Sequence, residues 1–216
     1  MNKRGFTLIE LLVVIAIIVL LVGILVPIVQ AVLDNAEDVR TQGRIVELSG
    51  GCESYRSETS YCPGQLYIDR IGECGGSDLD SDPLTGSQYL AITLFDELKR
   101  YAEAKADDLI TVKGETDGGG SIDLVKSISD RNSEAMAILY YPARLGVDGL
   151  GQYHPEHNVE YVRGGNGDPD AFTDFVKDSR FGGGARPQNP GAYVLIAAGK
   201  DRLYFTADDV TYPKWK

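Results

Sequence analysis

The sequence predicts an α+β protein in which one long N-terminal helix precedes a head of short strands and long loops. An uncharged apolar run covers Leu11–Val29, and apolar residues at helical spacing continue from it to about Tyr55. Short apolar segments, separated by glycine-rich stretches, follow over the rest of the chain. A helical period followed by brief strand-like runs is typical of folds that segregate helices from strands.

The apolar run is long enough to span a membrane. Its 19 residues extend roughly 28 Å as a helix, close to the hydrocarbon thickness of a bilayer. Lys3 and Arg4 precede the run, and an acidic stretch follows Leu33. Because basic flanks stay in the cytoplasm, the later chain is expected on the far side of the membrane. The run is longer than the apolar region of a secretory signal peptide, which favours an anchor.

One carboxylate near the start of this segment needs an explanation. Glu10 is the only charged residue between Phe6 and Leu33, and an ionisable group within a membrane span is costly and points to a function. Glu10 lies four residues, about one helical turn, after Phe6. If the chain is cut between Gly5 and Phe6, the new amine of Phe6 lies at the depth of this carboxylate and can pair with it. A plain signal anchor explains the length and orientation but not Glu10.

The residues around this cut are similar to a known processing signal. Positions 5–14 read Gly5-Phe6-Thr7-Leu8-Ile9-Glu10-Leu11-Leu12-Val13-Val14. This run resembles the leader junction of type IV prepilins and type II secretion pseudopilins. The resemblance implies that a membrane prepilin peptidase cleaves after Gly5 and methylates the amine of Phe6. It also implies that Glu10 neutralises the Phe6 amine of a neighbouring subunit during assembly, so that the desolvated charge selects the correct register.

The same resemblance implies how the chain is divided. Residues 1–5 are a leader peptide, residues 6–33 a membrane-spanning and filament-core helix, and residues 34–216 a pilin-like head with a small antiparallel sheet. Residues 34–57 are the second half of the long helix. Pro27 lies in the apolar run, where it either kinks the helix or, as in the family, marks a place where the helix loosens in the filament.

Beyond the membrane the helix is predicted to have one buried and one solvated face. The apolar stripe consists of Ile45, Leu48, Cys52 and Tyr55. The solvated residues are expected to be Arg40, Arg44, Glu47 and Glu53. In the head, a second helix is predicted over Ser87–Ala106, a glycine-rich turn over Asp117–Ser121, and strands over Ala135–Tyr141, Val159–Val162 and Ala192–Ala197.

The three cysteines are expected outside the cytoplasm, where a disulfide is permitted. We expect a disulfide between two of Cys52, Cys62 and Cys74, and the sequence does not choose the pair. The alternative is three buried or free thiols.

The C-terminal stretch from Tyr193 to Val210 resembles the calcium loop that closes major pseudopilins of type II secretion. Clustered carboxylates suit Ca²⁺, a hard cation with six to eight oxygen ligands, and the loop offers Asp201, Asp208 and Asp209. By resemblance only, the carbonyls of Leu195 and Leu203 complete the ligand set. The alternative is an acidic turn held by its own hydrogen bonds.

Two departures from the family pattern stand in this loop. Arg202 stands where the family often has Gly. Tyr204-Phe205 replaces small residues, which predicts, as an alternative to the calcium site, a loop packed by aromatic side chains instead.

Charge and composition exclude several classes of function. The net charge is −11, and it becomes −13 (−11 minus 2) once the leader with Lys3 and Arg4 is removed. Such a chain lacks the basic surface that direct nucleic-acid binding needs. No catalytic motif is present, and His154 and His157 are interpreted as ordinary surface histidines. We therefore expect no enzymatic activity.

The leading hypothesis is a structural subunit of a helical filament, a pseudopilin of a type II secretion system that moves folded proteins across the outer membrane. The alternatives are a type IV pilus pilin for adhesion, motility or DNA uptake, and a membrane-anchored binding module or tip subunit. The resemblance implies a single-pass inner-membrane protein with a cytoplasmic N-terminus and a periplasmic head. Its implied partners are other copies of the chain, the prepilin peptidase, an inner-membrane platform protein, an assembly ATPase and minor pseudopilins.

Overall fold

Helices and strands are segregated along the chain, which confirms the predicted α+β, pilin-like class. The computed structural model describes residues 8–72, 83–95, 101–103, 105, 107–132, 134–163, 165–180 and 186–215. The chain divides into two compact units, residues 1–37 and residues 38–216. The helices are α1 (Leu8–Thr59), α2 (Gly86–Leu94), α3 (Val159–Val162) and α4 (Phe172–Phe175). The strands are β1 (Leu109–Glu115), β2 (Ser121–Ile128), β3 (Leu139–Pro142), β4 (Tyr193–Ala197) and β5 (Val210–Tyr212).

Helix α1 has 52 residues, which corresponds to about 78 Å of rise. Pro27 lies inside the helix. The helix also continues through Gly50 and Gly51, although glycine is a poor helix former. The helix stops at Thr59 because Ser60 takes a left-handed conformation (φ 67°) and donates its N–H to the carbonyl of Arg56 at 2.7 Å. The predicted second half of the long helix is thus present and extends two residues beyond position 57.

The core of the second unit is built on both faces of a three-stranded antiparallel sheet, in the order β3-β4-β5. Tyr193 and Leu195 of β4 point to a cluster that contains Ile45, Leu48 and Cys52 of α1. Val194 and Ile196 point to the opposite cluster, which contains residues of α3 and α4. Since alternate residues of a strand face opposite sides, burial of both faces explains the unbroken apolar run of β4.

Four elements differ from the sequence-based predictions. The strand predicted over Ala135–Tyr141 is shorter and covers Leu139–Pro142. Helix α2 ends at Leu94, and Phe95 and residues 101–103 are not helical. The rest of the predicted helix, at positions 96–100, 104 and 106, lies outside the described residues. Val159–Val162 was predicted to be a strand and is a helix, because the 3₁₀ turn of Pro155–Asn158 leads directly into it. The side chain of Asn158 fixes this turn by accepting the N–H of Ser87 and donating to the carbonyl of Tyr140. The antiparallel hairpin β1-β2, which encloses the predicted glycine-rich turn, was not predicted.

Arg44 was predicted to be solvated, and it is buried. Its guanidinium lies 3.1 Å from a carboxylate oxygen of Glu47 and 3.5 Å from one of Asp108, and over the ring of Phe95. Arg131 pairs with the same two carboxylates. Burial lowers the pKa of Arg44, but the paired carboxylates make this position compatible with a charged side chain.

His157 was interpreted as a surface residue and is also buried. Its ring stacks on those of Tyr141 and His154, at centroid distances of 6.4 and 5.6 Å. Burial, with the nearby His154 and Arg144, lowers the pKa of His157 to about 3, so it is neutral at physiological pH. Its role here is to fill the core beside Tyr141.

Candidate functional site

The N-terminal half of α1 presents an apolar surface that its own unit does not cover. Every residue from Leu8 to Leu33 is exposed. Glu10 lies in the first turn of α1 and is exposed as well. The predicted cleavage residues Gly5 and Phe6 lie outside the described residues. A helix that is apolar on all sides requires a membrane or other apolar chains around it.

The second site is the loop between β4 and β5, where three predicted ligand residues come together. Carboxylate oxygens of Asp201, Asp208 and Asp209 all lie within 4.8 Å of one another. Asp201 and Asp208 are exposed, while Asp209 is buried. Hard oxygen donors that converge from an exposed loop are the type of group that coordinates Ca²⁺, so these residues fit the predicted ion.

Hydrogen bonds position the carboxylates. The N–H of Asp201 donates to Asp208 at 3.2 Å, and the N–H of Leu203 donates to Asp201 at 2.8 Å. Asp209 accepts the N–H of Phe205 at 2.7 Å. The predicted alternative, an acidic turn with its own hydrogen bonds, therefore describes the same loop, and a metal would be an addition to this network.

The two neighbouring carboxyl groups have opposite pKa shifts. Burial raises the pKa of Asp209 to about 6, although N–H and hydroxyl donors work against that rise. At Asp208 burial also acts to raise the pKa, but hydrogen bonds from the Thr206 hydroxyl and the Asp201 N–H outweigh it, and the pKa is lowered. The loop thus holds negative charge in a partly desolvated position.

Aromatic side chains attach this loop to the core, as predicted from Tyr204-Phe205. Tyr204 is buried and donates its hydroxyl to the carbonyl of Ala137 at 2.7 Å. The ring of Phe205 packs against Phe172 and Phe175, at centroid distances of 5.3 and 5.6 Å. These contacts attach the loop to the core through its aromatic side chains.

The backbone explains two positions of the loop. Arg202, where the family often has Gly, has a left-handed backbone with φ 59°, a conformation that costs a residue with a Cβ roughly 1–2 kcal/mol. At Gly199, a Cβ would lie 2.4 Å from the carboxylate carbon of Asp208 and 2.5 Å from its carbonyl oxygen. Glycine at position 199 is therefore required for Asp208 to point into the cluster.

Two contributors to the site were not predicted. Thr206 donates its hydroxyl to Asp208 at 2.8 Å and also lies 3.1 Å from Asp209. Lys200, next to Asp201, forms an ion pair with Asp38 of α1 at 3.0 Å. The hydroxyl of Thr206 was visible in the sequence as a further oxygen donor in the loop, whereas no sequence signal links Lys200 to Asp38.

Cys52 and Cys62 are buried free thiols in one apolar cluster. Burial raises the pKa of both, that of Cys62 to about 11, so neither is a reactive thiolate at neutral pH. Cys74 lies outside the described residues. The disulfide stays a prediction.

The family model that matches the chain covers only its N-terminal part. Residues 1–26 match the family model described as Prokaryotic N-terminal methylation motif. The match supports a type IV pilin-like protein. No curated protein and no solved structure matches the chain significantly. For a type IV pilin-like protein the motif implies processing by a prepilin peptidase and assembly into a filament, and suggests a structural, non-enzymatic role.

The structure agrees with anchoring of the chain in a membrane. Among the described residues, α1 is the one helix with a segment long and apolar enough to cross a membrane. The motif and this apolar helix together suggest that the chain is anchored through its N-terminal segment.

Proposed function

We propose that the mature chain is the structural subunit of a helical filament in a type II secretion system. The observation that carries the proposal is the methylation motif, followed directly by a helix half whose residues 8–33 are all exposed. Before assembly the bilayer covers this apolar surface, and in the filament other copies replace the lipid. The C-terminal cluster of Asp201, Asp208 and Asp209 supports a pseudopilin over other pilin-like subunits, through its likeness to their calcium loop.

Assembly in this proposal proceeds from the inner membrane. The prepilin peptidase removes residues 1–5, and the new Phe6 amine becomes the partner for Glu10 of a neighbouring copy. A cytoplasmic ATPase and a platform protein extract subunits into the filament, which minor pseudopilins accompany. The growing filament then moves folded proteins towards the outer membrane, with the heads in the periplasm.

Filament formation is tested by producing the chain together with its assembly machinery and shearing the cells. We expect homopolymers of the processed chain, visible by electron microscopy. Recovery of the chain only as single copies bound to other proteins would instead identify an anchored binding module or tip subunit.

Deletion of the chain separates secretion from a surface pilus. Loss of protein export with adhesion, motility and DNA uptake intact is expected for a pseudopilin. The converse pattern would assign the filament to a pilus and contradict the secretion proposal.

Calcium is proposed to bind at the carboxylate cluster and stabilise the second unit. An ion present at 100 times its Kd stabilises the folded state by about 2.7 kcal/mol, which for a chain of this size raises Tm by about 5–10 °C. The melting of the full chain in detergent can be followed by fluorescence of Trp215, the sole tryptophan, which packs on Phe175 at 5.8 Å. We expect a higher Tm in calcium than in chelator.

For each variant, the quantity to compare is the difference between its Tm in calcium and its Tm in chelator. Asp201→Ala, and Asp208→Ala combined with Asp209→Ala, should abolish that difference even where the chelator Tm also falls. Asp174→Ala, which like Asp201→Ala removes one carboxylate but from an exposed position of α4, should preserve it. An unmodified chain with equal Tm in calcium and in chelator would exclude the metal while leaving the filament proposal intact.

A further inference from the structure

The second half of α1 has one helix face that the rest of its unit does not cover. Val39, Gly43, Val46 and Gly50 are all exposed, and steps of four, three and four residues place them on the same side of the helix. Val39 is 70% exposed and Val46 is 66% exposed. These four residues form an uncharged valine–glycine face, which lies on the side of the helix away from its buried stripe.

The two glycines of this face are not needed by the fold of a single copy. Gly43 and Gly50 lie inside α1, and a Cβ added at either position would meet nothing within 4 Å. At the neighbouring Gly51, in contrast, a Cβ would lie 3.2 Å from Leu94 of α2, so packing within the chain explains that glycine. Glycine inside a helix is less stable than alanine. Gly43 and Gly50 therefore weaken α1 without a gain inside one copy, which indicates a close approach from outside.

A bilayer is not a suitable cover for the valine–glycine face. Arg40 is exposed on the same part of the helix, and Asp38 and Glu47 are half-buried there. Lipid that reached Val39 and Val46 would surround these charged side chains with hydrocarbon, which is costly. The face therefore requires a protein segment as its cover.

The chain itself contains an apolar segment that needs such a partner. Every residue from Leu8 to Leu33 is exposed, and a helix that is apolar on all sides must be surrounded by apolar groups. The hollows at Gly43 and Gly50 are seven residues apart, about 10.5 Å along the helix. Small residues let two helix backbones approach closely, as between membrane helices, while ridges of larger side chains fit the hollows between them.

We propose that the valine–glycine face of one copy binds the apolar segment 8–33 of α1 in another copy. The inference rests on the proposed filament and identifies a surface that replaces lipid along one side of the apolar segment. Because the two contact surfaces differ, the contact is heterologous and repeats from copy to copy without closing into a twofold dimer. A subunit that leaves the bilayer thus meets an apolar surface on a copy that left before it.

Alanine at the two glycine positions tests the close approach. Gly43→Ala combined with Gly50→Ala should raise the Tm of the full chain in detergent by several degrees, because alanine is the better helix former. The same variant should lower filament yield several-fold, since the added methyl groups hold the two helices apart. Arg56→Ala, at an exposed position roughly a third of a turn around the helix from Gly50, is the control and should leave filament yield unchanged.

Two results with this variant would overturn the contact. One is a filament yield equal to that of the unmodified chain. The other is a lower Tm, since the glycines would then be required within a single copy. Absence of filaments from the unmodified chain would instead remove the proposed function, and this inference with it.

Photo-cross-linking in assembled filaments identifies the segment that covers the face. A photoreactive residue in place of Val46 should cross-link to residues 8–33 of another copy, and mass spectrometry of the joined peptides locates the partner. The same photoreactive residue in place of Arg56 should not reach this segment. No cross-link from position 46, or cross-links only to residues 38–216 of another copy or to a different protein, would overturn the choice of partner.

Discussion

Filament yield is expected to fall to background when Glu10 is replaced by valine, although the amount of the chain in the membrane stays the same or rises. The substitution removes a charge from the apolar segment, so insertion of the single subunit becomes easier. In the proposed filament, however, the Phe6 amine of a neighbouring copy loses the carboxylate that we propose as its partner. Removing one partner of a buried pair costs about 3–5 kcal/mol, which is more than a hundredfold in each subunit contact.

Two measurements separate a loss of assembly from a loss of membrane insertion. Membrane fractionation reports insertion, and shearing with electron microscopy reports assembly. Glu10→Gln retains the size of the side chain and should behave as Glu10→Val does, while Ile15→Val changes an exposed apolar residue of the same helix and should assemble normally. Normal filament yield from Glu10→Val would refute the pairing role of this carboxylate.

The parts of the fold that follow from local periodicity could be predicted from the sequence. The apolar run and the stripe of Ile45, Leu48 and Cys52 gave α1 almost to its end, and the unbroken run around Val194 gave β4. Arg44 was misplaced because its burial depends on Asp108, 64 residues later in the chain, and spacing along a helix contains no information about such a partner. Propensity alone also predicts a strand at the β-branched residues of Val159–Val162, where the preceding turn imposes a helix.

In the candidate metal site, too, the features set by neighbouring residues could be predicted and those set by distant residues could not. Asp201, Asp208 and Asp209 are near one another in the chain, so a single loop can bring them together and the sequence could identify them. The ion pair of Lys200 with Asp38 joins two distant segments and became visible only in three dimensions. A groove between the second half of α1 and the residues that follow β5 is likewise formed by two distant segments, so neither segment alone predicts it.

Blocking the cleavage after Gly5 is expected to abolish filament assembly, as replacement of Glu10 is. Intact-mass analysis of the membrane form should give a chain that begins at Phe6 and carries one methyl group. Gly5→Val should leave the chain starting at Met1, because the peptidase must approach the backbone closely at the cut and glycine offers no Cβ to obstruct it. The uncleaved chain should still insert but should not assemble, since the Phe6 nitrogen is then an amide and cannot pair with Glu10 as a cation.

Asn2→Ala, which changes the leader away from the junction, is the control and should be cleaved normally. A mature chain from the unmodified gene that still starts at Met1 would contradict the pilin-like interpretation itself, and an assembled filament of uncleaved Gly5→Val would contradict the requirement for a free amine.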